Sequence, residues 1–321
     1  MRRVLITGAA GFIGRALAER MRGDGFEVVG VDLEADPAAG IVAGDVATPG
    51  PWQESARGCE VVVHTAALVG MPTDVSRFWH VNVRGTRLAL EAARDAGARR
   101  FVHLSSVVTF GLHFPDGVDE THPVRPTGVA YTDTKIAAEQ VVLMAHAGAE
   151  LEVVVVRPGD VYGPASRPWT LIPLEFLRNR RLVLPARGRG IHSPVFVDDL
   201  IEGVRRAAEA EEAAGRVITL SGGVGVETRD YFGHLGRMAG RSVPAVPTPV
   251  ALAGAMVLDR AARLRGAHNE LTPHAVRYLA YRRGTYGIRT ARELLDWAPS
   301  VDLDEGMART EEWLRAEGLL D

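Results

Sequence analysis

The hydrophobic positions of this chain fall in short, β-branched runs. They read VLIT from Val4, EVVGVD from Glu27, IVAGD from Ile41, EVVVHTAA from Glu60, RFVHLSS from Arg100, LEVVVVRPG from Leu151 and RVITLSG from Arg216. Most are apolar at successive positions rather than alternate ones, the pattern of strands covered on both faces. Stretches rich in Ala, Arg and Glu separate most of them. One of these, TRLALEAARDAG at 86–97, ends on a glycine, as helices commonly do. Strands alternating with helices predict an α/β fold, a doubly wound parallel sheet. After VYGP at 161–164 the rhythm changes: Pro164, Pro168, Pro173, Pro185 and Pro194 follow and strands thin out. This predicts a main domain over 1–163 and, over 164–321, mainly a smaller substrate lobe above the C-terminal edge of the sheet, where ligands of open α/β sheets bind. The run at 216–220 brings the chain back to the sheet around 193–222, so the lobe is discontinuous.

Composition narrows this only a little. The chain has 321 residues, 46% hydrophobic and 24% charged, with a net charge of −3 and no basic tail, which predicts neither a nucleic acid nor an anionic membrane as partner. The apolar stretch VALAGAMVL at 250–258 is too short to span a bilayer; it reads as a buried or pocket-lining helix. Glycines interrupt the apolar residues at the start of the chain, which therefore read as a strand and not a signal peptide. Cys59, the single cysteine, has no internal partner and reads as a small core residue, in keeping with a reducing, cytoplasmic setting.

The first candidate chemistry lies in VLITGAAGFIGRALAERM, where Gly8, Gly11 and Gly14 stand between a strand and a helix, with Phe12 and Ile13 at the helix start. Glycine permits a sharp turn and close approach of backbone to a pyrophosphate, and a helix start offers unpaired N–H groups to phosphate. Asp32, eighteen residues after Gly14, ends the second strand, where a carboxylate accepts from an adenosine ribose and repels a 2′-phosphate. Asp45, followed by Val46, comes after the third strand, where a carboxylate meets an adenine amino group. A capping or turn aspartate is the alternative at each site; the glycines, Asp32 and Asp45 in this order favour a Rossmann-type dinucleotide-binding domain.

The order of motifs resembles the extended short-chain dehydrogenases/reductases, the NAD-dependent epimerase/dehydratase superfamily, over nearly the whole chain. TGAAGFIG resembles the family's glycine turn. HTAA (His64–Ala67) resembles the segment after its fourth strand, and NVRGT (Asn82–Thr86) its Asn-x-x-Gly-Thr helix start. LSSVVTFG resembles its serine-bearing strand end, YTDTK its Tyr-x-x-x-Lys, RPGDVYGP its next strand and VFVDDL its Val-Asp-Asp segment. The resemblance implies NAD as cofactor, held by Gly8, Gly11, Phe12, Ile13, Gly14, Asp32, Asp45, Val46, Thr65, Ala66, Ala67, Tyr131, Lys135 and Pro158, and a homodimer as assembly. His64 and His103 read as structural, His103 as a satisfied core residue; Asn82 reads as backbone support and Arg157 as one half of an ion pair.

The family's catalytic residues fall on Ser106, beside Ser105, and on Tyr131 and Lys135. Residues four apart share a helical face, and a nearby ammonium favours phenolate and lowers the phenol pKa. Tyr131 then takes a proton from an alcohol or gives one to a carbonyl. Phe110 stands where the family often has a pocket tyrosine. His192 stands where nucleotide-sugar members carry an arginine that grips the diphosphate, with Arg187 and Arg189 nearby. These two positions favour oxidoreduction of a secondary alcohol and ketone on an apolar small molecule, resembling the 3β-hydroxysteroid dehydrogenase/dihydroflavonol reductase branch. A nucleotide-sugar epimerase or dehydratase with retained NAD is the alternative.

Overall fold

The computed structural model describes residues 2–70, 74–265 and 269–320. The seven apolar runs are the seven strands of one parallel sheet: β1 (Arg3–Thr7), β2 (Glu27–Asp32), β3 (Ile41–Ala43), β4 (Val61–His64), β5 (Arg100–Leu104), β6 (Glu152–Pro158) and, later in the chain, β10 (Arg216–Leu220). Their order across the sheet is β3-β2-β1-β4-β5-β6-β10. The chain winds outward from β1 in one direction and then from β4 in the other. The crevice at the C-terminal ends of β1 and β4 is the switch point at which such sheets bind ligands.

Both faces of the sheet are covered, which is why its strands are apolar throughout. Val4, Ile6, Val102 and Val154 pack with Leu17 of α1 (Phe12–Gly23) on one side. Leu5, Val62, Phe101 and Val153 pack on the other with Leu88 of α3 (Gly85–Asp95) and Val142 of α4 (Ala130–Ala147); α2 (Val75–Phe78) lies before α3. Cys59 is buried in this second layer, and burial raises its thiol pKa. α3 stops where the sequence marks a stop, two residues before Gly97, whose φ is +70°.

Beyond β6, apart from β10, only short strands form. β7 (Asp160–Tyr162) pairs with β9 (Pro194–Phe196), and β8 (Ile191–His192) with β11 (Val226–Glu227). Between and after them run α5 (Ile172–Arg178), α6 (Val197–Glu209), α7 (Thr228–Met238), α8 (Thr248–Leu264) and α9 (Pro273–Tyr281). α6 returns under the sheet, adding Leu200 and Val204 to the layer of α1. Of the two readings of 250–258, buried or pocket-lining, the buried one is corrected here. α8 packs against α9, with Ala255 buried, but Val250, Met256, Val257 and Leu258 are exposed, because the helix lies on the outside of the lobe. Among the described residues no helix is long and apolar enough to cross a membrane.

Candidate active site

The glycine turn closes on the segment after β4. Gly8 has φ +72°, and a Cβ there would stand 2.7 Å from the Ala66 nitrogen; one on Gly14 would stand 2.1 Å from the Gly8 carbonyl oxygen. Only glycines allow this approach. α1 starts at Gly11 with no side-chain cap, and its first turn, beginning Phe12–Ile13, carries no acidic residue. Its terminal N–H groups and dipole are thus left for an anion. Thr65 Oγ1 donates to the Thr7 carbonyl at 2.7 Å, holding Thr65–Ala67 along the turn. Asp32 accepts from the backbone amides of Ala10 at 2.9 Å and Leu33 at 2.8 Å, so its carboxylate is pinned between the glycine turn and the end of β2. Asp45 is exposed and makes a local turn by accepting from Ala47 N at 2.9 Å; Val46 beside it is buried against Gly85. Pro158 is buried at the end of β6. The cradle fits a dinucleotide: space for backbone approach, an uncapped helix start and a fixed ribose acceptor.

One strand further on, the ends of β5 and β6 meet α4. Ser106 follows β5, accepts from Val108 N at 3.3 Å and lies beside Tyr131, where its hydroxyl favours the phenolate. Ser105 points elsewhere, donating to Glu139. Tyr131, Lys135 and Glu139 stand at successive turns of α4 on one face. Lys135 is buried and its Nζ donates to the Leu104 carbonyl at 2.7 Å. Burial pulls its pKa from 10.5 to about 8, with Glu139 acting in the opposite direction. The Lys135 ammonium does not by itself lower the Tyr131 pKa. Burial raises it, the Ser106 hydroxyl offsets part of the rise, and the lysine ammonium is engaged by a strand carbonyl rather than by the phenol. Glu139 accepts from Arg157 at Nε (2.9 Å) and Nη2 (2.7 Å), both side chains being fully buried. The expected ion pair of Arg157 is thus present.

A second buried ionic cluster lies where the sheet meets the lobe. Asp160 accepts hydrogen bonds from Arg282 Nη1 at 3.1 Å, the Tyr278 hydroxyl at 2.7 Å and the Ser193 amide at 2.9 Å; Arg282 Nη2 lies 2.9 Å from the carboxylate as an ion pair, and neither it nor Nε has a hydrogen-bond partner among the described residues. His192 Nδ1 stands 3.2 Å away. Burial works to raise the Asp160 pKa, yet Arg282, His192 and Tyr278 together hold it at about 2. Burial also drops His192 to about 4, so it is neutral at pH 7. Trp169 and Tyr231 pack on its ring, with centroids 4.5 and 4.2 Å distant. The cluster therefore holds one positive and one negative charge. Arg187 and Arg189 are exposed.

Two further expectations are revised. Phe110 does not line an open pocket. It is 0% exposed, packed with Val107, Val118 and Tyr286 and capped by the Arg157 guanidinium at 4.7 Å, because the turn Val107–Phe110 folds its ring inward. His103 is in the core but not satisfied: neither ring nitrogen has a partner, and the ring stacks on His64 at 5.7 Å. His64 itself is held by Thr7 at 2.7 Å and Thr86 at 3.0 Å, and burial lowers its pKa to about 3. Asn82 supports backbone, as its position suggested, bonding Leu68 N and O. Glu139, Asp160 and Arg282 did not stand out in the sequence, since a carboxylate or guanidinium gives no sign of burial there. A signal for Lys135 was available: among 37 lysines and arginines it is the only lysine.

Residues 4–220 match the model of the NAD dependent epimerase/dehydratase family. The chain belongs to that family. It is accordingly an enzyme whose cofactor is NAD. Its relatives divide by substrate. It is 30% identical, over 98% of either chain, to a UDP-glucose 4-epimerase of Mycolicibacterium smegmatis. It is also 32% identical, over 72% of this chain and 71% of the other, to the 4-hydroxy-2-methyl-3-oxo-4-farnesyl-3,4-dihydroquinoline-1-oxide ketoreductase of Stigmatella aurantiaca. Among solved structures, MoeE5 in complex with UDP-glucose and NAD superposes with a TM-score of 0.79 at 26% identity, covering 98% of this chain and 99% of that one. Family membership thus leaves epimerase, dehydratase and reductase activities open.

Proposed function

We propose that this enzyme interconverts a secondary alcohol and a ketone on an apolar small molecule bound beneath the residue 164–321 lobe. NAD, when bound, supplies the hydride chemistry. Tyr131 is the proton donor and acceptor at the substrate oxygen, Ser106 holds both that oxygen and the Tyr131 hydroxyl, and Lys135 supplies positive charge beside them. The glycine turn, Thr65–Ala67, Asp32, Asp45, Val46 and Pro158 are the cofactor contacts. The retained lysine supports this reading. In a chain that otherwise uses arginine as its basic residue, a compact ammonium that can titrate stands where a guanidinium could not serve.

The observation that carries the choice of substrate is the charge-balanced Asp160–Arg282 pair beside neutral His192. A diphosphate brings two negative charges, which need counter-charge and donors when buried; here the charge of the one guanidinium is already balanced by a carboxylate, while its Nε and Nη2 keep no hydrogen-bond partner among the described residues. An apolar substrate instead gains about 25 cal/mol per Å² removed from water. The test has two arms. Calorimetric titration of the NAD-loaded protein with UDP, dTDP and GDP sugars should give no saturable binding. Steroid-like and aryl ketones should be reduced, followed by NADH absorbance. The 30% identity to a UDP-glucose 4-epimerase across the chain favours the second reading, a nucleotide-sugar epimerase or dehydratase, and low-micromolar binding of any sugar nucleotide would establish it instead.

A further inference from the structure

We propose that Glu139 is a positioning residue for the Tyr131–Lys135 pair, its carboxylate supplying the counter-charge to Lys135 and fixing α4 to the ends of β5 and β6. The inference rests on the catalytic reading above. One carboxylate makes three side-chain bonds, to Ser105 Oγ and to Arg157 Nε and Nη2. Ser105 adjoins Ser106, and Arg157 adjoins Pro158. The hydroxyl beside Tyr131 and a proposed cofactor contact are therefore each one residue from a group that Glu139 holds. Glu139 is 0% exposed, so this bonding is not shared with solvent.

Charge alternates along the same line: Lys135 positive, Glu139 negative, Arg157 positive. The ionisable groups facing Lys135 are Tyr131 and Glu139 on its own helix and His64 and His103 on β4 and β5, both histidines kept neutral by burial. The adjoining segment 79–84 contributes Asn82, bonded to Thr134 and uncharged. Glu139 is thus the single negative charge among them. Without it a buried ammonium loses the interaction that offsets its desolvation and gains an unpaired guanidinium nearby.

Because Lys135 is the only lysine, protein grown with ε-¹³C-lysine gives one side-chain resonance, and its titration reads this residue without any substrate. In Glu139→Gln the midpoint should fall by about one pH unit or more. The double variant Glu139→Gln/Arg157→Gln removes the stranded guanidinium, should unfold as cooperatively as the parent, and should still show the fall. Glu139→Asp, which keeps the charge, should titrate close to the parent. A parental midpoint in either folded glutamine variant overturns the proposal, since a merely structural carboxylate would leave the lysine unmoved. Turnover of Tyr131→Phe, measured in parallel, separates the two ideas. Full activity there defeats the catalytic reading whatever the resonance does, whereas an inactive Tyr131→Phe with an unshifted lysine defeats the role of Glu139 alone.

Discussion

Two buried arginine–carboxylate pairs sit at the C-terminal side of this sheet, and they differ in what the carboxylate does next. Asp160 also accepts from Tyr278 and a backbone amide and lies beside a neutral histidine, so its cluster is neutral in charge, with Arg282 Nε and Nη2 left without hydrogen-bond partners among the described residues. Glu139 faces a lysine one helical turn away and accepts from Ser105, the neighbour of Ser106, so its cluster keeps a group able to titrate near neutrality. Desolvation penalises both pairs similarly. What distinguishes the proposed catalytic cluster from the other is therefore the third partner, not the ion pair: a lysine held at about pH 8 in one, an imidazole held neutral in the other.

The largest expected effect tests whether both clusters are as dry as this implies. His64, beside the first, and His192, within the second, have folded pKa values of about 3 and about 4, below the ordinary 6.5. Between these values and 6.5 the unfolded chain binds more protons than the folded one, so stability is complete above pH 6.5 and is lost as pH falls. From pH 6.5 to 5 each histidine should remove about 1.6 kcal/mol. Urea unfolding at the two pH values measures their sum together with that of buried His103, whose pKa burial also lowers, and His192→Gln should abolish its own share. A flat profile would mean that water reaches both rings. Next in size, Asp160→Asn strands Arg282 and should cost about 3 kcal/mol. UDP should then restore part of that stability in the variant while leaving the parent unchanged; equal effects on both would show that Asp160 does not balance the charge of Arg282. Tyr131→Phe, which keeps the ring and removes the hydroxyl, should lower turnover by at least about 10²-fold with NAD affinity unaltered. Near-normal turnover would place the chemistry elsewhere than the first cluster.

The sequence announces the parts of this molecule that depend on pattern. All seven sheet strands follow from runs such as EVVVH and LEVVVV, because a doubly buried strand must be apolar along its length. The glycine turn is legible because Gly8 and Gly14 stand where a side chain would collide with backbone. The spacing of Tyr131 and Lys135 is legible because the helical repeat is local. What escapes is whatever depends on contacts distant in sequence. The partner of Asp160 is 122 residues away in Arg282. Phe110 turns inward because Tyr286, from the far end of the chain, closes over it. The apolar letters of 250–258 do not say whether a helix lies inside or outside the lobe; its packing on α9 alone decides that. For Lys135 the count of basic residues says more than the motif, since one lysine among so many arginines marks a position where a guanidinium does not serve.

The smallest expected effect concerns the cofactor cradle, which belongs to neither cluster and serves as their reference. The chain should prefer NAD(H) over NADP(H). Asp32 is fixed by the amides of Ala10 and Leu33 at the end of β2, where it accepts from a ribose 2′-hydroxyl and opposes a 2′-phosphate by like charge. Glu34 and Asp36 follow it and add negative charge. Arg2 and Arg3, the basic residues before β1, are committed elsewhere. Arg2 pairs with Glu209 at 2.7 Å and lies over the Phe26 ring, and Arg3 pairs with Glu27 at 3.0 Å. A tenfold ratio corresponds to about 1.4 kcal/mol, within reach of one fixed carboxylate facing a partly solvated phosphate. Dissociation constants for NADH and NADPH, taken at one ionic strength because salt screens this repulsion, should differ by at least about tenfold. Asp32→Asn removes the like charge and should narrow the gap mainly by improving NADPH binding. Equal affinities in the parent, or a gap that survives Asp32→Asn, would show that the preference does not come from this carboxylate.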